Sequence, residues 1–140
     1  MKIFDCFMFF DEDPVLDLRL NVLSEYVDYF VIVESIYNHK GEKRNLLFNK
    51  DKYKDFSNKI IYLIYDKIPN SVQEVEKKDS KLTQDYKYIM NALYRENSQR
   101  NFILEGLKDA DQNDIILISD VDEIPKLNIN TLKNIRNEIL

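Results

Sequence analysis

"IILISDVDEIP" (115–125) sets an aliphatic run directly against three carboxylates, Asp120, Asp122 and Glu123. The run suits a strand covered on both faces, the kind found in the middle of a parallel sheet. Carboxylates that close repel one another, so they need either water at a turn or a cation between them. In open α/β sheets ligands bind outside the carboxyl ends of the strands. These side chains follow such an end, so the stretch speaks to fold and site together.

Working outward, three further segments read as strands: "KIFDCFMFF" (2–10), "YFVIVES" (29–35) and "KIIYLIY" (59–65), with "DIILIS" (114–119) as the fourth. Between the first two, Leu16, Leu20, Leu23 and Val27 fall at helical spacing, and Pro14 is placed to open that helix. A second helix is expected from about Thr83 to Leu107, with Tyr86, Met90, Leu93, Asn97, Phe102 and Ile103 near one face, and a third over 128–140. Strands alternating with helices, several of them apolar throughout, predict an α/β fold with a mostly parallel sheet flanked by helices. The segment 36–56 reads as a long connection with little regular structure, and 73–81 as a charged, solvated stretch. No internal repeat or low-complexity tract occurs.

The chain has 140 residues, 44% of them hydrophobic and 32% charged, which suits a single globular domain over 1–140. A net charge of -5, with both signs mixed, argues against a nucleic-acid partner, which prefers a basic face. The single cysteine, Cys6, cannot form a disulfide within the chain, and it reads as core in a reducing compartment. Two glycines, Gly41 and Gly106, are too few for a glycine-rich phosphate loop. No signal sequence or membrane span is visible, so a cytoplasmic protein is expected.

An Asp-x-Asp pair in a turn can offer two hard oxygen ligands to Mg²⁺ or Mn²⁺, which would in turn bridge an anionic substrate, most often a diphosphate. The same pattern is also met as a plain solvated turn before a proline such as Pro125. It is met again in phosphatases of the haloacid dehalogenase type, where the first Asp is a nucleophile. In "YRENSQRN" (94–101) Arg95 and Arg100 lie about 140° apart around a helix, so one could reach a phosphate while the other serves structure. A Glu96–Arg100 pair within the helix is the alternative. His39, the only histidine, reads as a loop residue, and without a second one a zinc site is not expected. Phe4, Phe7, Phe9 and Phe10 read as core, with the one at the strand end able to stack on a base.

Three separated blocks resemble one family, the family 17 glycosyltransferases: residues 3–35, "GEKRNLLF" (41–48), and "YRENSQRNFILEGL" (94–107) with "NDIILISDVDEIP" (113–125). The resemblance implies a GT-A type, nucleotide-binding fold. It implies a UDP-sugar donor, with UDP-N-acetylglucosamine the best candidate, a glycan or glycoprotein acceptor, inversion at the anomeric carbon and a divalent cation, Mn²⁺ or Mg²⁺. Carried over, Asp122 is the direct metal ligand and Asp120 acts beside it through the ribose or a water. Glu12, Glu34, Arg95 and Arg100 match further motif positions, the last three as donor-binding candidates. A complete enzyme of this fold is longer, so the chain is expected to be a donor-binding half, incomplete at its C-terminus, with the acceptor site and the catalytic base elsewhere. Glu138 is the one late carboxylate that could serve. The rival reading is a non-catalytic sugar-nucleotide-binding or interaction module.

Overall fold

The computed structural model describes residues 1–128 together with Asn130, Leu132 and Asn134. Their order is β1 (Ile3–Phe9), α1 (Asp13–Leu23), β2 (Tyr29–Ser35), a 3₁₀ turn at Lys54–Phe56, β3 (Ile60–Tyr65), α2 (Lys81–Asn101), a 3₁₀ segment at Phe102–Leu107, and β4 (Ile115–Ile118). All four strands are parallel and form one sheet in the order β3-β2-β1-β4. The expected strands and the α/β class are therefore present, but β4 is an edge strand rather than one covered on both faces in the middle of the sheet, and its Ile118 is 55% exposed. Of the helix expected over 128–140, Asn130, Leu132 and Asn134 are described and are helical, with the Leu132 amide donating to the Asn128 carbonyl (3.1 Å); the other positions after Asn128, Glu138 among them, lie outside the described residues.

Alternation along β1 splits the core in two. Ile3, Phe7 and Phe9 pack with Leu16, Leu20 and Leu23 of α1, while Phe4 and Cys6 face Ile103 and its 3₁₀ segment on the other side. Side chains such as Phe7 and Phe30, 0% exposed, each contribute roughly 1.5–3 kcal/mol by leaving water. Phe10 departs from the expected core: it is 39% exposed at the strand end, with the Arg44 guanidinium 4.2 Å from its ring centre. Gly106 is where the second layer comes closest to the sheet. A Cβ there would stand 2.5 Å from Val31 Cγ1, so only glycine permits the approach.

The second helix differs from its expected form. It ends as an α-helix at Asn101, and Tyr86 and Leu93 point outward, 60% and 46% exposed. Its inward face carries Asn91 and Gln99 instead. Asn91 Oδ1 accepts from the Gln73 amide (2.8 Å) and its Nδ2 donates to the Gln73 carbonyl (2.7 Å), while Gln99 donates to the Val33 carbonyl (3.1 Å). Hydropathy periodicity misreads a helix that packs on backbone groups, because those groups require buried amides. The 36–56 connection is also more ordered than expected. Phe48 stacks on Tyr62 and Tyr53, and the buried Tyr53 donates its hydroxyl to Asp13 Oδ1 (2.8 Å). Among the described residues no helix is long and apolar enough to cross a membrane.

Burial, and then the Asp5 carboxylate, push the Cys6 thiol up to about 12. Below about pH 8.5 the thiol is protonated in both native and unfolded chains. Above that, only the unfolded chain loses the proton, so stability is expected to fall by about 1.4 kcal/mol per pH unit from this group. Urea unfolding between pH 8 and 10 should show the decline in the native sequence and a flatter profile in Cys6→Ala. Equal slopes would contradict the assignment.

Candidate functional site

The strand order decides where a ligand can enter. β1 passes over α1 to β2 on one side, whereas β4 arrives on its other side, so the chain reverses direction across the sheet between β1 and β4. Connections leaving the two carboxyl ends diverge there and open a crevice. A cleft of about 710 Å³ occupies this position. Phe10 and Glu12 line it from the end of β1, His39, Lys40 and Glu42 from the connection after β2, Glu96 from α2, and Asp120 with Asp122 from the end of β4.

The turn after β4 is held from beneath by Arg19. This side chain sits among Leu16, Leu20 and Leu23 on the buried face of α1 and is 0% exposed. Its Nε and Nη2 each donate to Asp5 at 2.8 Å, a two-pronged pair that is wholly buried. Nη1 then donates to the carbonyls of Asp120 (2.6 Å), Val121 (3.0 Å) and Glu123 (3.3 Å), and Nη2 to Ser119 Oγ (2.7 Å). Ser119 passes the contact on by donating to the Glu123 carbonyl at 3.1 Å. Neither Asp5 nor Arg19 was among the expected site residues. The signal was present, since Asp5 interrupts an apolar strand and Arg19 interrupts an apolar helix stripe, and two opposite charges inside one core must meet.

Above that clamp the two aspartates differ. Asp120 accepts from Arg100 Nη2 at 3.0 Å, and its amide donates to Glu123 Oε2 at 3.2 Å. Arg100 also holds Glu96 (3.0 Å), so the intrahelical pair and the reach to the cleft coexist in one side chain. Asp122 is exposed, lines the cleft, and no hydrogen bond or ion pair to its carboxylate occurs among the described residues. The other cleft carboxylates are occupied: Glu12 accepts from the Phe10 and Asp11 amides, and Glu42 from Asn38.

Glu34 lies on the same sheet edge as the aspartates, one strand beyond β1, but it is not among the residues that line the cleft. It is 0% exposed and accepts from Arg44 (3.1 Å), the Leu47 and Phe48 amides (2.7 and 3.1 Å) and the Tyr62 hydroxyl (2.7 Å). These bonds anchor the 44–48 segment to the end of β2. Arg44 ties the same segment to the Ser35 and Phe10 carbonyls. Arg95 points away from Arg100, as their spacing requires. It donates to the His39 carbonyl (3.0 Å) and lies against Gly41, where φ is +87° and a Cβ would stand 2.5 Å from the guanidinium. Arg95 therefore shapes the loop that carries His39 and Lys40. His39 is exposed on that loop.

Among the described residues no group of three or more His, Cys, Asp and Glu side chains could hold a metal ion. A free Asp122 beside a held Asp120 fits a hard divalent cation only in part. Two carboxylates supply too few oxygens for six-coordination, so the rest would come from a bound anion and water.

A comparison with family profiles matches residues 1–138 to "Glycosyltransferase family 17". The beta-1,4-mannosyl-glycoprotein 4-beta-N-acetylglucosaminyltransferases of Homo sapiens and Rattus norvegicus are each 28% identical over 118 residues, and that of Mus musculus 27%. The aligned part covers 81% of this chain and 20% of each relative, so the chain spans about a fifth of the length of the curated proteins it matches. No solved structure matches.

Proposed function

Because this chain belongs to glycosyltransferase family 17, we propose that it forms the donor-binding part of a glycosyltransferase of the GT-A type. The donor is a UDP-sugar, with N-acetylglucosamine the favoured sugar, and the acceptor a glycan or glycoprotein, glycosylated with inversion. Family membership sets aside the dehalogenase-type phosphatase. The activity that names the human relative, N-acetylglucosaminyl transfer, supports an N-acetylglucosaminyl donor.

The observation that carries the reading is the charge balance of the cleft. Glu12, Glu42, Glu96, Asp120 and Asp122 line it, against Lys40 and the Arg100 guanidinium that Glu96 and Asp120 share. A nucleotide diphosphate would be repelled from such a wall unless a cation came between. Asp122, with its carboxylate unengaged, and Asp120 would hold Mn²⁺ or Mg²⁺ there. That ion would neutralise charge on the departing diphosphate. Arg100 would hold Asp120 in place, and Lys40 would add positive charge at the opposite lip.

A second reading is a sugar-nucleotide-binding module without transfer activity of its own. It is favoured by one observation: apart from Asp122, the carboxylates lining the cleft are already engaged, which leaves no obvious base for an acceptor hydroxyl.

Metal and nucleotide should bind cooperatively, each strengthening the other by the same factor. Calorimetry of UDP binding is expected to give at least tenfold tighter association with Mn²⁺ than without it. Asp122→Asn should reduce that difference to less than threefold. UDP affinity that ignores Mn²⁺, or an Asp122→Asn protein that keeps the full metal effect, would refute the metal bridge.

A further inference from the structure

We propose that Arg19 is a positioning residue for the cleft: its buried guanidinium is a built-in cation around which the 119–123 turn is folded, and this fixes where the Asp120 and Asp122 carboxylates stand. The inference rests on reading those two aspartates as the metal-facing pair.

The physical argument begins with the carbonyls. Three of them, from Asp120, Val121 and Glu123, converge on one nitrogen of Arg19. Carbonyl oxygens drawn together repel one another, and buried ones need donors. Without a cation at their centre the turn would open toward water. With the carbonyls drawn inward, the side chains of Asp120 and Asp122 are left on the cleft side. The guanidinium has five N–H donors in a rigid fork, and here the fork is divided between Asp5, which fixes its orientation, and the turn, which it shapes. Phe7 completes the seat, its ring centre 4.5 Å from the guanidinium carbon. Asp5 cancels the charge of Arg19, so the clamp gives shape to the turn while adding no net positive charge that would compete with a bound metal ion.

The test separates shape from stability. Asp5→Leu combined with Arg19→Met removes the clamp and leaves no unpaired charge in the core, so the sheet is retained. Amide hydrogen exchange and calorimetry of UDP with and without Mn²⁺ are measured on the same proteins. Amides of 120–124 should exchange at least tenfold faster than in the native protein, while those of β1 and β2 change less than twofold. UDP affinity in Mn²⁺ should fall at least tenfold, with metal-free UDP affinity unchanged, a selective loss that a general weakening of the fold would not produce. Unchanged exchange at 120–124 in the double variant would overturn the proposal. Should that variant fail to fold, Ser119→Ala decides: it deletes one arm of the clamp at a partly exposed position and should raise exchange at 120–124 at least threefold, and no change would again overturn it. If the native protein shows no Mn²⁺-dependent UDP binding, the donor-site reading falls, while the exchange measurements still judge the clamp.

Discussion

Arg19→Met, with Asp5 left in place, is expected to lower the unfolding free energy by about 3–5 kcal/mol, the cost of stranding one charge of a buried pair. Asp5 would keep its carboxylate 0% exposed with both guanidinium donors gone. Three turn carbonyls and Ser119 would lose a donor at the same time. Methionine fills much of the vacated volume, so the loss reports charge and hydrogen bonding rather than a cavity. Urea unfolding at neutral pH measures it. Adding Asp5→Leu to the same protein should recover most of the stability, because an apolar pair of similar volume avoids the desolvation cost that the ions incur. A single variant within about 1 kcal/mol of the native protein would contradict the assignment of the buried pair as a stabilising element.

Glu34→Ala should cost a similar amount, about 3–5 kcal/mol, through a different set of losses. The Leu47 and Phe48 amides and the Tyr62 hydroxyl would be left partly buried without their acceptor, and Arg44 without its counter-ion. The 44–48 segment should loosen first, since these bonds join it to β2. Burial, followed by the Glu34 hydrogen bond, raises the Tyr62 hydroxyl pKa above its ordinary value. Removing the carboxylate should bring that titration down, which ultraviolet absorbance at alkaline pH can follow. Glu34→Ala with native stability but weakened UDP binding would return Glu34 to the role of donor contact that its place in the sequence suggested.

The fold was legible because it depends on local patterns. Four apolar runs, with helical spacing in the first and third of the intervals between them, can bury both faces of a sheet only if helices cover both, and a parallel sheet is the arrangement that such crossovers permit. The turn at Asp120 and Asp122 was legible for the same reason: charge that follows directly on an apolar strand is a local contrast. The partners of Glu34 were not, because a strand-end position does not say which groups a carboxylate will meet, and the Leu47 and Phe48 amides that bind it come from a segment with no periodic signal. Arg95 and Arg100 were separable by helical geometry, but their partners, the His39 carbonyl and Asp120, are distant in sequence.

What the sequence determined by itself, then, was the order of strands and helices and the edge of the sheet on which the carboxylates gather. Only the tertiary structure decided which carboxylate is free and which are engaged. It also decided that Asp5 and Arg19, 14 residues apart, join beneath a turn about a hundred residues further along the chain. Periodicity reports whether a side chain is turned inward. It cannot report which buried charge another will meet, because that depends on β4 being inserted beside β1, and strand order is fixed by packing of the whole sheet rather than by any one segment.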